Sequence, residues 1–176
     1  MGAGLFVVAA KNSLPSCGES QTENGLSSGI QPAVWPGRVR ALSDGLLVEL
    51  WPHRPIGLDG GHNADGARAL AKTLGQIDGG KWNIICGALN TRDPAEFLAP
   101  LAALAGSVRC LAIADQPASL SAAEMTDAAV AQGLDAAPAT SIITAFDQLD
   151  PAYPVIICGS LYLAGQVLVQ NKTLPD

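Results

Sequence analysis

The stretch RPIGLDGGHNADGARAL, Arg54 to Leu70, holds a strand, a polar turn and a helix start within seventeen residues. Pro55-Ile56-Gly57-Leu58 is short and apolar, Gly60-Gly61 permits backbone angles that a side chain forbids, and from Ala64 the apolar residues recur at helical spacing. Asp59, His62 and Asn63 are thereby crowded between the carboxyl end of a strand and the amino end of a helix. In open α/β sheets ligands bind at such junctions, and helix amides there attract anions.

Outward from this junction the chain alternates strand and helix. A helix over 64–76 places Ala67, Leu70, Ala71 and Leu74 on one face. Strand Trp82 to Cys86 leads through Gly87-Ala88-Leu89-Asn90-Thr91-Arg92 to a helix that Asp93 caps and Pro94 opens, with Glu96 three residues after the cap. Strand Val108 to Ala114 follows, then a capping box, Ser121-Ala122-Ala123-Glu124, and a helix ending near Gly133. An extended piece over 136–139, a helix over 141–149, strand Val155 to Cys158 and a helix to about Gln170 complete the series. Upstream, Leu46 to Trp51 is a continuous apolar run that reads as a strand buried on both faces and stopped by Pro52. The fold class is α/β, three-layered and Rossmann-like, a mostly parallel sheet with helices on both faces. Its strand ends gather Asp59–Asn63, Gly87–Arg92, Ala114-Asp115 and Gly159-Ser160 on one rim.

The domain spans 31–171. Residues 1–30 read as an apolar patch, GAGLFVVAA, followed by a Ser/Asn/Gly-rich arm, and 172–176 as a tail. With 176 residues, 48% of them apolar, the chain can bury one sizeable core. A net charge of −6 with ten scattered Lys and Arg residues argues against a nucleic-acid surface. No apolar run reaches the ~20 residues of a membrane helix. The patch at 2–10 lacks a preceding Lys or Arg, so a cleaved signal is not expected. Four cysteines without C-x-x-C spacing, three of them in apolar strands, suggest buried free thiols in a reducing, cytoplasmic setting. With only two histidines, no metal site can be assembled by spacing.

On residues alone the rim offers a carboxylate, an imidazole, an amide and a hydroxyl. Asp59 could accept hydrogen bonds from a ribose diol, and His62 could contact phosphate, move a proton near pH 7, or merely bond to neighbouring backbone. Ser160 lacks the second glycine of a G-x-S-x-G elbow and reads as a helix cap. Neither a G-x-x-x-x-G-K-[ST] loop nor a G-x-G-x-x-G motif is present. Arg38, in the turn Trp35-Pro36-Gly37-Arg38-Val39, reads as a solvated turn residue.

Four runs in order, WPGRV at 35–39, LDGGHNADGARAL at 58–70, GALNTRD at 87–93 and CGSLYLAGQVL at 158–168, resemble the carboxyl-terminal domain of folylpolyglutamate synthase/dihydrofolate synthase, of the Mur ligase superfamily. The resemblance covers about 30–170. It implies an ADP-forming ligase that uses ATP and Mg²⁺ to turn a dihydropteroate or folate carboxylate into an acyl phosphate, which L-glutamate then attacks. In that family the P-loop and the Mg²⁺ ligands lie on an amino-terminal domain, so this chain alone would be inactive and would need that domain as partner. A monomer is expected, with no nucleic-acid or membrane partner. The resemblance assigns Arg38 to the ATP phosphates, Asp59 to the nucleotide ribose, His62 and Asn63 to the phosphates and incoming glutamate, and Gly159 and Ser160 to the glutamate substrate.

The chain departs from the family's D-G-A-H-N-P at Gly61 and Ala64, the second change leaving Asn63 to cap the helix without a proline. Thr91-Arg92-Asp93 stands where many members have Asp-Lys-Asp, and no role passes to Arg92. Two rival readings are another Mur-type ligase, in which Asp-Tyr-Ala-His-Asn-Pro is typical, and a non-catalytic nucleotide-binding or interaction module whose rim residues only cap helices.

Overall fold

Apolar runs too short for helices form the centre of the sheet. In the computed structural model, which describes residues 39–52 and 54–173, β2 (Ile56–Leu58), β3 (Trp82–Cys86) and β6 (Val155–Cys158) are buried along their whole length. Around them stand β1 (Arg40–Leu42), β4 (Ala105–Cys110) and β5 (Ala136–Pro138). The strand order is β1-β2-β6-β3-β4-β5. Every pairing is parallel except that of β1 with β2, in which Arg40 faces Leu58 and Leu42 faces Ile56.

Side chains alternate across a strand, so each strand feeds two cores. Trp82, Ile84, Cys86, Ile156 and Cys158 pack under α2 (Ala64–Ile77), α3 (Pro94–Leu98, continued by a 3₁₀ turn at Ala99–Leu101) and α4 (Ala122–Ala131). Ile85, Val155 and Ile157 face α1 (Leu46–Leu50), α5 (Ile142–Phe146) and α6 (Leu161–Asn171). Truncating a fully buried residue such as Ile84 to alanine would cost about 2–5 kcal/mol.

The connections define where a site can form. From β2 to β5 the chain moves across the sheet in one direction, with α2, α3 and α4 on one face. It then returns through α5 on the opposite face to place β6 between β2 and β3. The chain leaving β2 or β3 turns to one face, and the chain leaving β6 turns to the other. A crevice opens at such a switch point.

Three expected boundaries are corrected. Leu46 to Trp51 is a helix followed by a turn rather than a strand. Only Leu47 is fully buried, and Leu50 is 46% exposed, so one face packs instead of two. Asn171 Oδ1 accepts from the Leu47 amide at 2.8 Å and its Nδ2 donates to the Asp44 carbonyl at 2.8 Å, supplying helix-start partners from 124 residues away in sequence. Strand β4 begins and ends earlier than 108–114, because pairing with β3 sets Ala105 beside Trp82 and Cys110 beside Cys86. Small residues of low hydropathy are thereby recruited into the strand. Helix α5 stops at Phe146, where tighter i→i+3 bonds take over, and Arg109 donates to the Gln148 carbonyl at 2.9 Å and 3.2 Å. The strands at 56–58, 82–86 and 155–158 and the caps at Asp93 and Ser121 agree with the sequence reading. Cys86, Cys110 and Cys158 are buried free thiols, while Cys17 lies outside the described residues. Among the described residues no helix is long and apolar enough to cross a membrane.

Candidate functional site

Three strand-end turns build the rim by bonding to one another. Leaving β2, the Asp59 amide donates to the Ile157 carbonyl at 3.0 Å. The Asp59 carboxylate, buried at 6% exposure, turns back to accept from the Gly61 amide at 2.6 Å. A Cβ on Gly61 would stand 2.6 Å from that oxygen, so an alanine here would require the Asp59 carboxylate to shift. Leaving β6, the Gly159 amide donates to the Gly61 carbonyl at 3.1 Å. Gly159 adopts φ +104, and a Cβ there would lie 2.7 Å from the Gly87 carbonyl, so β2, β6 and β3 close together only with glycine at this position.

The helices that follow point their positive ends into the crevice. Asn63 caps α2 by accepting from the Gly66 amide at 2.7 Å, and its oxygen is therefore partly engaged in structure. Ser160, buried at 3% exposure, caps α6 by accepting from the Tyr162 amide at 3.1 Å. The helix-cap reading of Ser160 thus holds.

His62 is exposed, and its Nδ1 lies 3.2 Å from the Gly60 carbonyl. A carbonyl only accepts, so this contact is a hydrogen bond only when Nδ1 carries a proton. The imidazole borders two cavities. One, of about 560 Å³, is lined by Asp59, Gly60, Gly61, Asn63, Leu70 and Thr73 among others. The second, of about 250 Å³, runs between Thr91, Arg92, Phe97, Ser160 and Tyr162. Leu161 borders both. Beneath them Cys158 is held far above its ordinary thiol value, by burial first and by the negative charge of Asp59 second.

The structure gathers Asp59, His62, Asn63, Gly159 and Ser160 into this crevice, with the turn from Ala88 to Asp93 as its third wall. Ala114 and Asp115 stand apart, beside a shallower cleft along the outer side of α6. Arg38 lies outside the described residues, although its neighbour Val39 lines the larger cavity. Leu161, Tyr162 and Thr73 escaped the sequence reading. The first two follow Gly159-Ser160 directly and could have been inferred from that adjacency, whereas Thr73 sits three turns into α2 without any local signal.

The larger cavity has the volume of a small-molecule site. Among the described residues no three His, Cys, Asp or Glu side chains converge to hold a metal ion.

Comparison with known proteins bears on this geometry. The folylpolyglutamate synthase of Lacticaseibacillus casei is 28% identical over 149 residues, 83% of this chain and 32% of that protein. The dihydrofolate synthase/folylpolyglutamate synthase of Bacillus subtilis is 28% identical over 108 residues, 61% of this chain and 23% of that protein. Among solved structures, the bifunctional folylpolyglutamate synthase/dihydrofolate synthase of Yersinia pestis complexed with AMPPNP and Mn ion superposes with a TM-score of 0.62 at 27% identity, covering 76% of this chain and 30% of that one. The chain spans about a third or less of the length of each of these proteins. The family model described as "Mur ligase, glutamate ligase domain" matches residues 49–161, and the chain belongs to that family, with the fold of the folylpolyglutamate synthase carboxyl-terminal domain.

Proposed function

We propose that this chain supplies the glutamate-ligase half of an ATP-dependent enzyme that joins L-glutamate to dihydropteroate or a folate through an acyl phosphate, the ATPase half being a P-loop domain that closes over the crevice. The observation that carries the reading is the position of His62, whose imidazole borders a nucleotide-sized cavity on one side and a smaller cavity on the other. The names of the relatives support the substrate class, and the Yersinia pestis protein's complex with AMPPNP and Mn supports a nucleotide and a divalent metal.

In this reading Asp59 accepts from a ribose hydroxyl with the carboxylate oxygen not bonded to Gly61. Asn63 and the amino end of α2 face phosphate, and Arg38 adds a cation that offsets charge on the transferred phosphoryl group. The smaller cavity takes glutamate. Its ammonium must lose a proton before the amine can attack; an unprotonated His62 Nε2 would accept from that ammonium, whereas a protonated one would donate to phosphate. Gly159 lets the backbone approach closely, and Ser160 fixes the start of α6 against the substrate. ATP supplies the activated phosphoryl group. Mg²⁺ is assigned to the partner domain, as the family resemblance implies.

The test is amide NMR of the 176-residue chain titrated with ATP. Weak binding is expected, with shifts concentrated at Gly60, Gly61 and His62 and no glutamate ligation by the chain alone. Shifts confined to another face would overturn the site, and a sub-micromolar dissociation constant would favour a self-sufficient nucleotide-binding module instead.

A further inference from the structure

Three thiols stand immediately under the rim with no part in the proposed reaction. Cys86, Cys110 and Cys158 are the last residues of β3, β4 and β6. The register sets Cys86 directly beside Cys110 on one side and beside Cys158 on the other. All three face the same core layer, so their sulfurs run in a row along neighbouring strand ends. A row does not surround a metal ion, and among the described residues no metal-holding cluster forms. A pair is another matter. Adjacent strands lie about 4.8 Å apart, within the roughly 4.4–6.8 Å between Cα atoms that a disulfide bridges. The Cys86 and Cys110 sulfurs are already in contact at 3.9 Å.

We propose that Cys86 and Cys110 form an oxidant-sensitive dithiol, which hydrogen peroxide converts to a disulfide joining the ends of β3 and β4. The Cys110 sulfur, as thiolate, attacks one peroxide oxygen. The O–O bond breaks, and the departing hydroxide gains a proton to become water, leaving a sulfenic acid on Cys110. The Cys86 sulfur then attacks the Cys110 sulfur. The S–O bond breaks, and the hydroxyl leaves as a second water with the Cys86 proton. Two thiols lose two electrons, and one peroxide is reduced to two waters.

The surroundings set the order of events. The hydrogen bond from Cys86 holds Cys110 below its ordinary value against the opposing effect of burial, assisted by Thr126 and the Arg109 charge. The same bond, followed by burial, holds Cys86 well above its own. Cys158 is kept protonated by burial and Asp59 and stays out of the exchange. Both reacting sulfurs are buried, which favours a small uncharged oxidant that enters when the strand ends open locally. The crevice begins one residue away. Leu111 donates to the Cys86 carbonyl at 2.8 Å, and a Cβ on Gly87 would meet the Leu111 carbonyl at 2.8 Å.

The inference is independent of the ligase reading and is tested without activity. The full chain carrying Cys17→Ser is exposed to hydrogen peroxide, unfolded, treated with iodoacetamide, digested and analysed by mass spectrometry. The expected result is a Cys86–Cys110 cross-linked peptide, loss of two hydrogens from the intact chain, reversal by dithiothreitol, and Cys158 alkylated throughout. A Cys86→Ala variant, which also removes the hydrogen bond that lowers Cys110, should form no cross-link and lose Cys110 alkylation more slowly than the parent chain. A Cys86–Cys158 link, oxygen added to single cysteines without any link, or three thiols still fully alkylated after prolonged exposure would each overturn the proposal.

Discussion

The Gly159 amide donates to the Gly61 carbonyl at 3.1 Å, tying the turn after the last strand to the turn that follows β2. The two glycines stand 98 positions apart in the chain. Because Gly159 has φ +104 and a Cβ there would press on the Gly87 carbonyl, Gly159→Ala meets strain and a clash together. The variant should unfold at lower urea concentration, with a loss of about 1–3 kcal/mol. Wild-type stability would show that the rim can yield.

Asp59 and His62 should separate stability from chemistry. His62 is exposed and bonds only weakly to its own turn, so His62→Ala should change folding stability by less than about 0.5 kcal/mol. In a protein that pairs this chain with a P-loop domain, the same substitution and Asp59→Ala should each lower glutamate ligation by orders of magnitude. Near-normal turnover in either variant, measured by ADP release, removes that residue from its assigned role.

The start of α2 can be tuned in both directions. Asn63→Ala removes the acceptor for the Gly66 amide and should cost about 0.5–2 kcal/mol. Ala64→Pro should stabilise by about 0.4–1 kcal/mol, since the first helical position tolerates proline. Asn63, at φ −143 and ψ 170, already has the extended backbone preferred before a proline. A lower thermal midpoint for Ala64→Pro would mean that the Ala64 amide has a partner it needs.

Cys158 makes stability depend on alkaline pH. Its thiol is raised in the folded chain, so above the unfolded value the unfolded chain releases a proton that the folded chain keeps. The contribution is present in full below about pH 8.5 and is lost as pH rises above it. Urea titrations across that range should show stability falling with pH, and Cys158→Val should flatten the slope by up to about 1.4 kcal/mol per pH unit. Equal slopes for the two proteins would contradict the assignment.

What could be read in the sequence follows from how local its causes are. Trp82–Cys86 and Val155–Cys158 are buried on both faces, so their apolar runs alone fix their limits. Asp93 and Ser121 cap their helices with atoms two or three residues away, and their roles are equally visible. Leu46 to Trp51 misled because its decisive partner, Asn171, lies at the far end of the chain. The limits of β4 are imposed by β3, not by its own hydropathy. At the site, Asp59 and His62 are marked by glycine punctuation. Thr73 reaches the cavity only because α2 lies across the rim, and the sequence carries no trace of that.

Strand β1 runs antiparallel to β2, with Arg40 beside Leu58 at the carboxyl end of the sheet. Had it run parallel, the incoming chain would have entered at the opposite edge, with the sheet between it and the crevice. Instead, whatever is attached before Val39 is leashed at the mouth of the larger cavity. An attachment at Val39 therefore begins beside the crevice and not across the sheet from it.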